Sequence, residues 1–280
     1  VVQGVGFRPF VHRLALRHGL CGFVRNETGA VAIEVEGDER AIDAFRAGLE
    51  REAPAAARIT SLSFEVRPPG EDAGFSILPS RIDPAAEPSI TPDLATCGDC
   101  LRELQDPANR RHRYAFISCT RCGPRFTILQ GAPYDRERTT MSPFRLCGAC
   151  RAEYEDPRDR RYHAEATACP ECGPRLLDLD AATAARRLRE GRLLAVKGLG
   201  GFHLACDAGN EEAVRELRLR KGRDEKPLAI MVPGLAEARR LCEVSPEEAE
   251  LLLGSEGAIV LLRRREGGGI AESVAPGNPL

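Results

Sequence analysis

Eight of the eleven cysteines stand in four tight pairs. Cys97-x2-Cys100 is followed after 18 residues by Cys119-x2-Cys122, and Cys147-x2-Cys150 is followed after 18 residues by Cys169-x2-Cys172. Two residues between ligands let both thiolates of a knuckle face one ion, so the pattern predicts two tetrahedral four-cysteine zinc sites. The spacing leaves the pairing open: each x18 loop closes on itself, or the sites interleave. Each cysteine recurs 50 positions on, and the repeat extends beyond them. Asp106-Pro107 and Arg110-Arg111 return as Asp156-Pro157 and Arg160-Arg161, and Cys122-Gly123-Pro124-Arg125 returns as Cys172-Gly173-Pro174-Arg175. His163, close to the last knuckle, offers a substitute ligand. The competing reading, a disulfide framework, fits poorly, because nothing resembles a signal peptide and no apolar run approaches membrane-spanning length. Cys21, Cys206 and Cys242 are scattered, as in a reducing cytoplasm, and the last two read as small buried apolar residues.

A second chemistry lies in Val2-Gln3-Gly4-Val5-Gly6-Phe7-Arg8-Pro9, which reads as a strand end, a glycine loop and a helix start. Pro9 suits a first helical turn, where its missing N–H costs nothing. A cation there opposes the helix dipole by a few tenths to about 1 kcal/mol. Arg8 makes sense if it, the loop of Gln3, Gly4, Val5, Gly6 and Phe7, and the helix start all face one anion such as a phosphate.

A third candidate site comes from amino-acid choice. Among 40 Lys and Arg only three are lysine, and Lys197, Lys221 and Lys226 fall within 30 residues. A chain that drifts to arginine is expected to spare positions where only a compact ammonium fits. A glycine-rich turn (Lys197-Gly198-Leu199-Gly200-Gly201) with K-x-R-x-x-K-P suits a triphosphate or adenylate. The glycine turn alone is weak evidence, being neither a P-loop nor a dinucleotide fingerprint.

The elements that must position these groups divide the chain into 1–79, a proline-marked linker at 80–91, 92–176 and 180–280. In the first module, Phe10, Val11, Leu14 and Ala15 give a helical face ending near Gly19. Residues 22–25 and 31–35 form a hairpin around 26–29, a second helix covers 41–52, and strands are expected near 59–66 and 75–78. With a leading strand this is the split β-α-β-β-α-β order. In the last module, helices are expected at 181–191 and 211–219 and after the Ser245-x-x-Glu248 capping box, with strands at 193–196, 228–232 and 258–262. That alternation implies an α/β module with ligands at strand ends. Residue 1 lies inside a motif and 267–280 is loop-like, so the sequence reads as a fragment with its last module incomplete.

Composition narrows the function. The net charge of −2 gives no hint of a membrane or nucleic-acid partner. Residues 97–175 carry 14 Arg, no Lys and 11 Asp and Glu, a formal +3. Eight thiolates and two zinc ions bring this to about −1, which removes the basic footprint nucleic acid needs.

Three family resemblances attach to these motifs. V-Q-G-V-G-F-R with the downstream F-V-R-N-x-x-G resembles the acylphosphatases across 1–79, a ferredoxin-like α+β fold. That likeness implies that Arg8 and the loop amides bind a phosphoryl group and Asn26 orients the attacking water; on its own, an Asn in a hairpin turn needs no functional reason. L-R-x-R-K-x-R-D-E-K-P with the upstream F-H-L-A-C-D-A resembles the YrdC-like nucleotide-binding fold, implying that Lys221, Arg223 and Lys226, with Lys197 and His203, hold ATP and a carbamate-derived group. Together with the duplicated zinc fingers, the order resembles the HypF-type carbamoyltransferases of nickel–iron hydrogenase maturation over all 280 residues. The resemblance implies a cytoplasmic enzyme with two zinc ions that hydrolyses carbamoyl phosphate. It implies activation of the carbamate with ATP, together with Mg²⁺, and transfer of the carbamoyl group to the C-terminal cysteine of a HypE-type acceptor through a further domain. Two rivals remain: a chaperone-like zinc scaffold, which does not account for Arg8, Asn26 and the lysines together, and a tRNA threonylcarbamoyl-adenylate enzyme, which does not account for the acylphosphatase module.

Overall fold

Gly6, at φ 75°, turns the chain into the first helix of the computed structural model, α1 (Phe7–Arg17). Left-handed backbone there favours glycine, and Pro9 falls in the first turn, whose N–H groups have no intrahelical partner. Phe7, Phe10, Val11, Leu14 and Ala15 form the buried face of α1. Residues 2–68, 70, 73–82, 91–198 and 200–278 are described, in two compact units, Val1–Arg175 and Leu176–Leu280.

The first unit begins with a small sheet. β1 (Cys21–Glu27) and β2 (Ala30–Glu36) form a hairpin through Thr28 and Gly29, with Val24 opposite Ile33 and Asn26 opposite Val31. Strand period two buries Gly22, Val24 and Asn26 on one face. α2 (Glu39–Arg51) is capped by Asp38, which accepts from Arg40 N at 2.9 Å, and β3 (Phe75–Ile77) runs parallel to β1. The sheet order is β2-β1-β3, and α1 packs on β1, β3 and α2. The core gathers Val5, Phe7, Phe10, Val11, Leu14, Val24, Phe45, Leu49 and Phe75.

Two expectations fail here. Residues 3–6 are turn and no leading strand occurs among the described residues, and 59–66 form no strand, leaving Phe64 and Val66 exposed. The causes are linked. In a split β-α-β the leading strand lies between the hairpin and the returning strand, so without it 59–66 has no ladder to join. Asn26 also differs from its expected place: it lies on β1, buried, rather than in the turn.

The duplicated segment follows, and most of the expected linker (83–90) lies outside the described residues. α3 (Gly98–Gln105) and α4 (Gly148–Glu155) start at Cys97 and Cys147, so each first knuckle spans a helix N-terminus. In the Asp-Pro loops Asp106 and Asp156 accept from Ala108 N and Arg158 N at 2.9 Å. Arg113 and His163, 50 positions apart, both take positive φ (57° and 51°), and their amides bond Leu104 O and Tyr154 O. The repeated arginine pairs then cross over. Arg110 and Arg111 grip Glu153 of the second repeat, with Arg111 Nε on Ala168 O at 2.9 Å. Arg160 and Arg161 grip Glu103 of the first, with Arg161 Nε on Ser118 O at 3.1 Å. Burial pushes the Glu103 carboxyl up, but the hydrogen bonds from Arg161 and Arg160 outweigh it and hold it at about 2.

The second unit contains α5 (Ala181–Arg189), the antiparallel pair β4 (Leu194–Lys197) and β5 (Phe202–Ala205), α6 (Glu211–Lys221), α7 (Leu235–Leu241) and α8 (Pro246–Leu253). Asn210 caps α6, Gly222 at φ 54° ends it, and Ser245 and Glu248 form the expected capping box. Val214, Ala271 and Val274 form a core with Cys206, Ala208, Leu228 and Ile270 against it. The strands expected at 228–232 and 258–262 do not form. Met231, Ile259 and Leu261 stay exposed, since β4 and β5 pair only with each other and offer these segments no partner. Phe202–Ala205 is a strand that the sequence expectations did not include. Among the described residues no helix is long and apolar enough to cross a membrane.

Candidate anion cradle and metal centres

The eight paired cysteines form two groups, Cys97, Cys100, Cys119 and Cys122, and Cys147, Cys150, Cys169 and Cys172, so each x18 loop closes on itself. Neighbouring sulfurs stand 3.5–3.7 Å apart in the first group and 3.6–3.7 Å in the second. A tetrahedron with metal–sulfur bonds of about 2.3 Å has edges of about 3.8 Å, so both groups fit a four-coordinate thiolate-bound ion. Arg160 Nη1 reaches Cys100 Sγ at 3.1 Å and Arg110 Nη2 reaches Cys150 Sγ at 3.2 Å. Each repeat thus donates a hydrogen bond to a sulfur of the other's metal group, which orients the ligand and offsets its negative charge. His163 is not a ligand; its place is the cleft described next.

Arg8 and Asn26 meet. Their side chains are buried, and with its amide set by its hydrogen bonds, Asn26 Oδ1 accepts from Arg8 Nε at 3.1 Å and Nη2 at 3.2 Å. The glycine loop sits beside them in a narrow cleft that Thr120, His163 and Glu165 also line. α1 has no side-chain cap and no acid in its first turn, which leaves its N-terminal end open to an anion. The Gln3 side chain holds the loop in place. Its Nε2 bonds Glu27 O and Ala30 O at 2.6 and 3.0 Å, tying the loop to the hairpin turn. Val5 and Phe7 point into the core, which fixes the loop from beneath.

The far wall of this cleft comes from the duplicated segment. A Cβ on Gly4 would lie 3.0 Å from Arg125 Cδ, and one on Gly6 2.9 Å from Thr120 Cβ. Arg125 is fully buried, its guanidinium spent on the carbonyls of Gly4, Cys119, Thr120, Cys122 and Pro124. Its repeat mate Arg175 is exposed and bonds only nearby carbonyls. Glu165 reaches Arg8 Nη2 at 2.9 Å, and Asp135 reaches the same nitrogen at 3.2 Å. Glu165 Oε2 accepts from Tyr154 Oη at 2.9 Å and Arg136 N at 3.1 Å. Burial pushes the Glu165 carboxyl above its ordinary range, and Arg8 offsets only part of this. His163 packs on Tyr154 and Tyr162, and burial, with Arg8 and His12, lowers it to about 4. Sequence reasoning gave Arg125, Asp135 and Glu165 no place in this site and offered His163 only as a metal ligand. The available signal was broken symmetry: Glu165 stands where the first repeat has Ala115, and His163 where it has Arg113.

In the second unit the candidates occupy two places. Lys197 and His203 lie on the β4–β5 pair, where Val196 faces His203 and Lys197 faces Phe202, and Lys197 Nζ is 5.2 Å from the Phe202 ring centre. His203 is thus a strand residue. Lys221, Arg223 and Lys226 share the end of α6 and the loop beyond it, with both lysines exposed. Arg223 bonds Lys226 O at 3.2 Å and Pro227 O at 2.6 Å. Arg218, which the sequence reading passed over, is buried and holds this loop through the carbonyls of Arg223 at 2.8 Å and Asp224 at 3.2 Å, together with Val274 O at 2.9 Å.

Comparison with known proteins follows this division. Family models match as Acylphosphatase over residues 1–77, as HypF finger over 96–129 and 146–177, and as Telomere recombination, the Sua5/YciO/YrdC model, over 186–279. Carbamoyltransferase HypF2 of Cupriavidus necator is 54% identical over 99% of this chain and 36% of its own length. Carbamoyltransferase HypF of a Synechocystis species is 46% identical over 99% of this chain and 38% of its own. Among solved structures, a full-length HypF in a phosphate- and nucleotide-bound form is 43% identical with a TM-score of 0.93, covering 99% of this chain and 37% of that one. The chain thus spans a little over a third of the relatives it matches. With an acylphosphatase-like module, paired HypF fingers and a YrdC-like module in one order, it belongs to the HypF family.

Proposed function

We propose that the cleft under Gly4 and Gly6 hydrolyses carbamoyl phosphate to carbamate and phosphate. The observation that carries this reading is the buried Arg8–Asn26 pair beside a glycine loop and an uncapped helix start. Water attacks phosphorus, the bond from phosphorus to the bridging oxygen breaks, carbamate leaves with the electron pair, and the water proton passes to solvent. An acyl phosphate already has a good leaving group, so orientation and charge stabilisation suffice. Arg8 and the amides from Gln3 to Phe7 stabilise the phosphoryl oxygens, and Asn26 orients the water.

The same reading assigns zinc to the two cysteine groups and divides the chain into modules at 1–79, 92–176 and 180–280. In the last of these, ATP with Mg²⁺ activates carbamate as carbamoyl adenylate, with Lys221, Arg223 and Lys226, and with Lys197 and His203, around the phosphates and the carbamate-derived group. Transfer to a cysteine of a HypE-type acceptor belongs to the part of the relatives beyond this match, and the setting is the cytoplasm. The likeness to a HypF solved with phosphate and nucleotide supports both sites. The test is phosphate release from carbamoyl phosphate by this chain and by its Arg8→Lys variant; equal rates would remove Arg8 from the reaction.

A further inference from the structure

The carboxylate on Arg8 has no part in the reaction as set out above. Glu165 is 157 residues from Arg8 in sequence, 4% exposed, and lines the cleft beside Gly4, Gly6 and Asn26. Its two oxygens have different tasks. Oε2 accepts from Tyr154 Oη and Arg136 N, while Oε1 accepts from Arg8 Nη2, itself part of a cleft residue. Of the other polar side chains in the wall, Arg125 is engaged on carbonyls, Tyr134 Oη on Pro124 O and Thr120 Oγ1 on Arg160 O, while His163 packs on the rings of Tyr154 and Tyr162.

Resting on the carbamoyl phosphate reading, we propose that Glu165 recognises the amino group of the substrate and makes this cleft selective for carbamoyl over acetyl phosphate. The two substrates differ in one group: an NH₂ with two donors stands where acetyl phosphate has a methyl. The phosphoryl end calls for donors, which Arg8 and the loop supply. The acyl end of carbamoyl phosphate calls for an acceptor, and Glu165 Oε1 is an acceptor one guanidinium nitrogen from the cradle. A buried site that hydrogen-bonds a substrate N–H discriminates strongly against the analogue lacking it, because the acceptor is then left desolvated and underused. Anchoring by Tyr154 and Arg136 N keeps the carboxylate in place when substrate enters, so it need not swing away.

Glu165→Gln tests this through hydrogen-bond polarity. Tyr154 Oη and Arg136 N are both donors, so they hold the Gln oxygen and turn its NH₂ towards Arg8 and the substrate. The ratio of kcat/KM for carbamoyl phosphate to that for acetyl phosphate should fall at least tenfold, whatever happens to each value alone. Tyr154→Phe, which removes one anchor and keeps the carboxylate, should lower the same ratio several-fold. Unchanged or raised ratios in the variants overturn the proposal and leave Glu165 as a structural partner or a plug that substrate displaces. Equal wild-type rates on the two substrates would overturn it as well, whatever the variants do. Wild-type protein that hydrolyses neither substrate sinks the underlying hydrolytic reading and this inference with it. Hydrolysis with an unresponsive ratio sinks only the inference.

Discussion

Replacing Arg8 by Lys keeps the charge and removes the planar fork that holds Asn26 Oδ1 through Nε and Nη2. Loss of one preorganised donor typically costs about 100-fold or more, so kcat/KM for carbamoyl phosphate should fall by at least that while the thermal transition persists. Gly6→Ala makes a different demand. It places a Cβ at φ 75° and 2.9 Å from Thr120 Cβ, which should cost about 2 kcal/mol and lower the melting temperature. His163 ties stability to pH. Burial lowers it from its ordinary 6.5 to about 4, so between those values the unfolded chain binds the proton and the folded one resists it. Stability is therefore complete above about pH 6.5 and is lost as the pH falls towards 4, by up to about 3 kcal/mol. His163→Asn, which suits the positive φ, should remove this share of the acid sensitivity when melting temperature is followed against pH.

At the scale of elements, the two metal loops are clasped together. Arg160 and Arg161 serve Glu103 and Cys100 of the first repeat, while Arg110 and Arg111 serve Glu153 and Cys150 of the second. Losing either ion frees the helix and loop that position the other repeat's clamp. Titration with a chelator should thus release two ions per chain in one cooperative step, read by a metal-sensitive dye. Two separate steps of unrelated affinity would show the repeats to be independent. Arg161→Ala leaves Glu103 with a single partner and Ser118 O without its donor, and should ease release of both ions together at a cost of about 2 kcal/mol.

At the scale of the whole unit Val1–Arg175, the metal loops serve as the second wall of a site to which they contribute no metal. Thr120, Arg125, Glu165 and Asp135 all come from the duplicated segment, and Arg125 bonds Gly4 O in the cradle itself. Removal of the metals should therefore end acyl-phosphate hydrolysis in step with metal loss, although no cysteine is expected to touch substrate. Activity that survives complete removal would show that the cradle stands without this wall.

How much of this was legible in the sequence follows from the range of the forces involved. Local signals sufficed for α1 after its two glycines, a hairpin turning near 26–29, the capping box at Ser245, and the knuckles at each CxxC, because turn geometry, caps and ligand spacing act within a few residues. Strands at 59–66, 228–232 and 258–262 were misjudged because a strand needs a partner, and alternation alone does not supply one. Asn26 and Arg8 could be singled out, yet their mutual contact depends on β1 lying against the start of α1. The sequence by itself determined the eight ligand cysteines, the duplication and the glycine loop, and left the pairing of the cysteines to the fold. Only tertiary structure decided the crossed arginine clamps and the placing of Glu165, His163 and Arg125 around Arg8, since contacts between residues up to 157 positions apart arise from packing and not from any local preference.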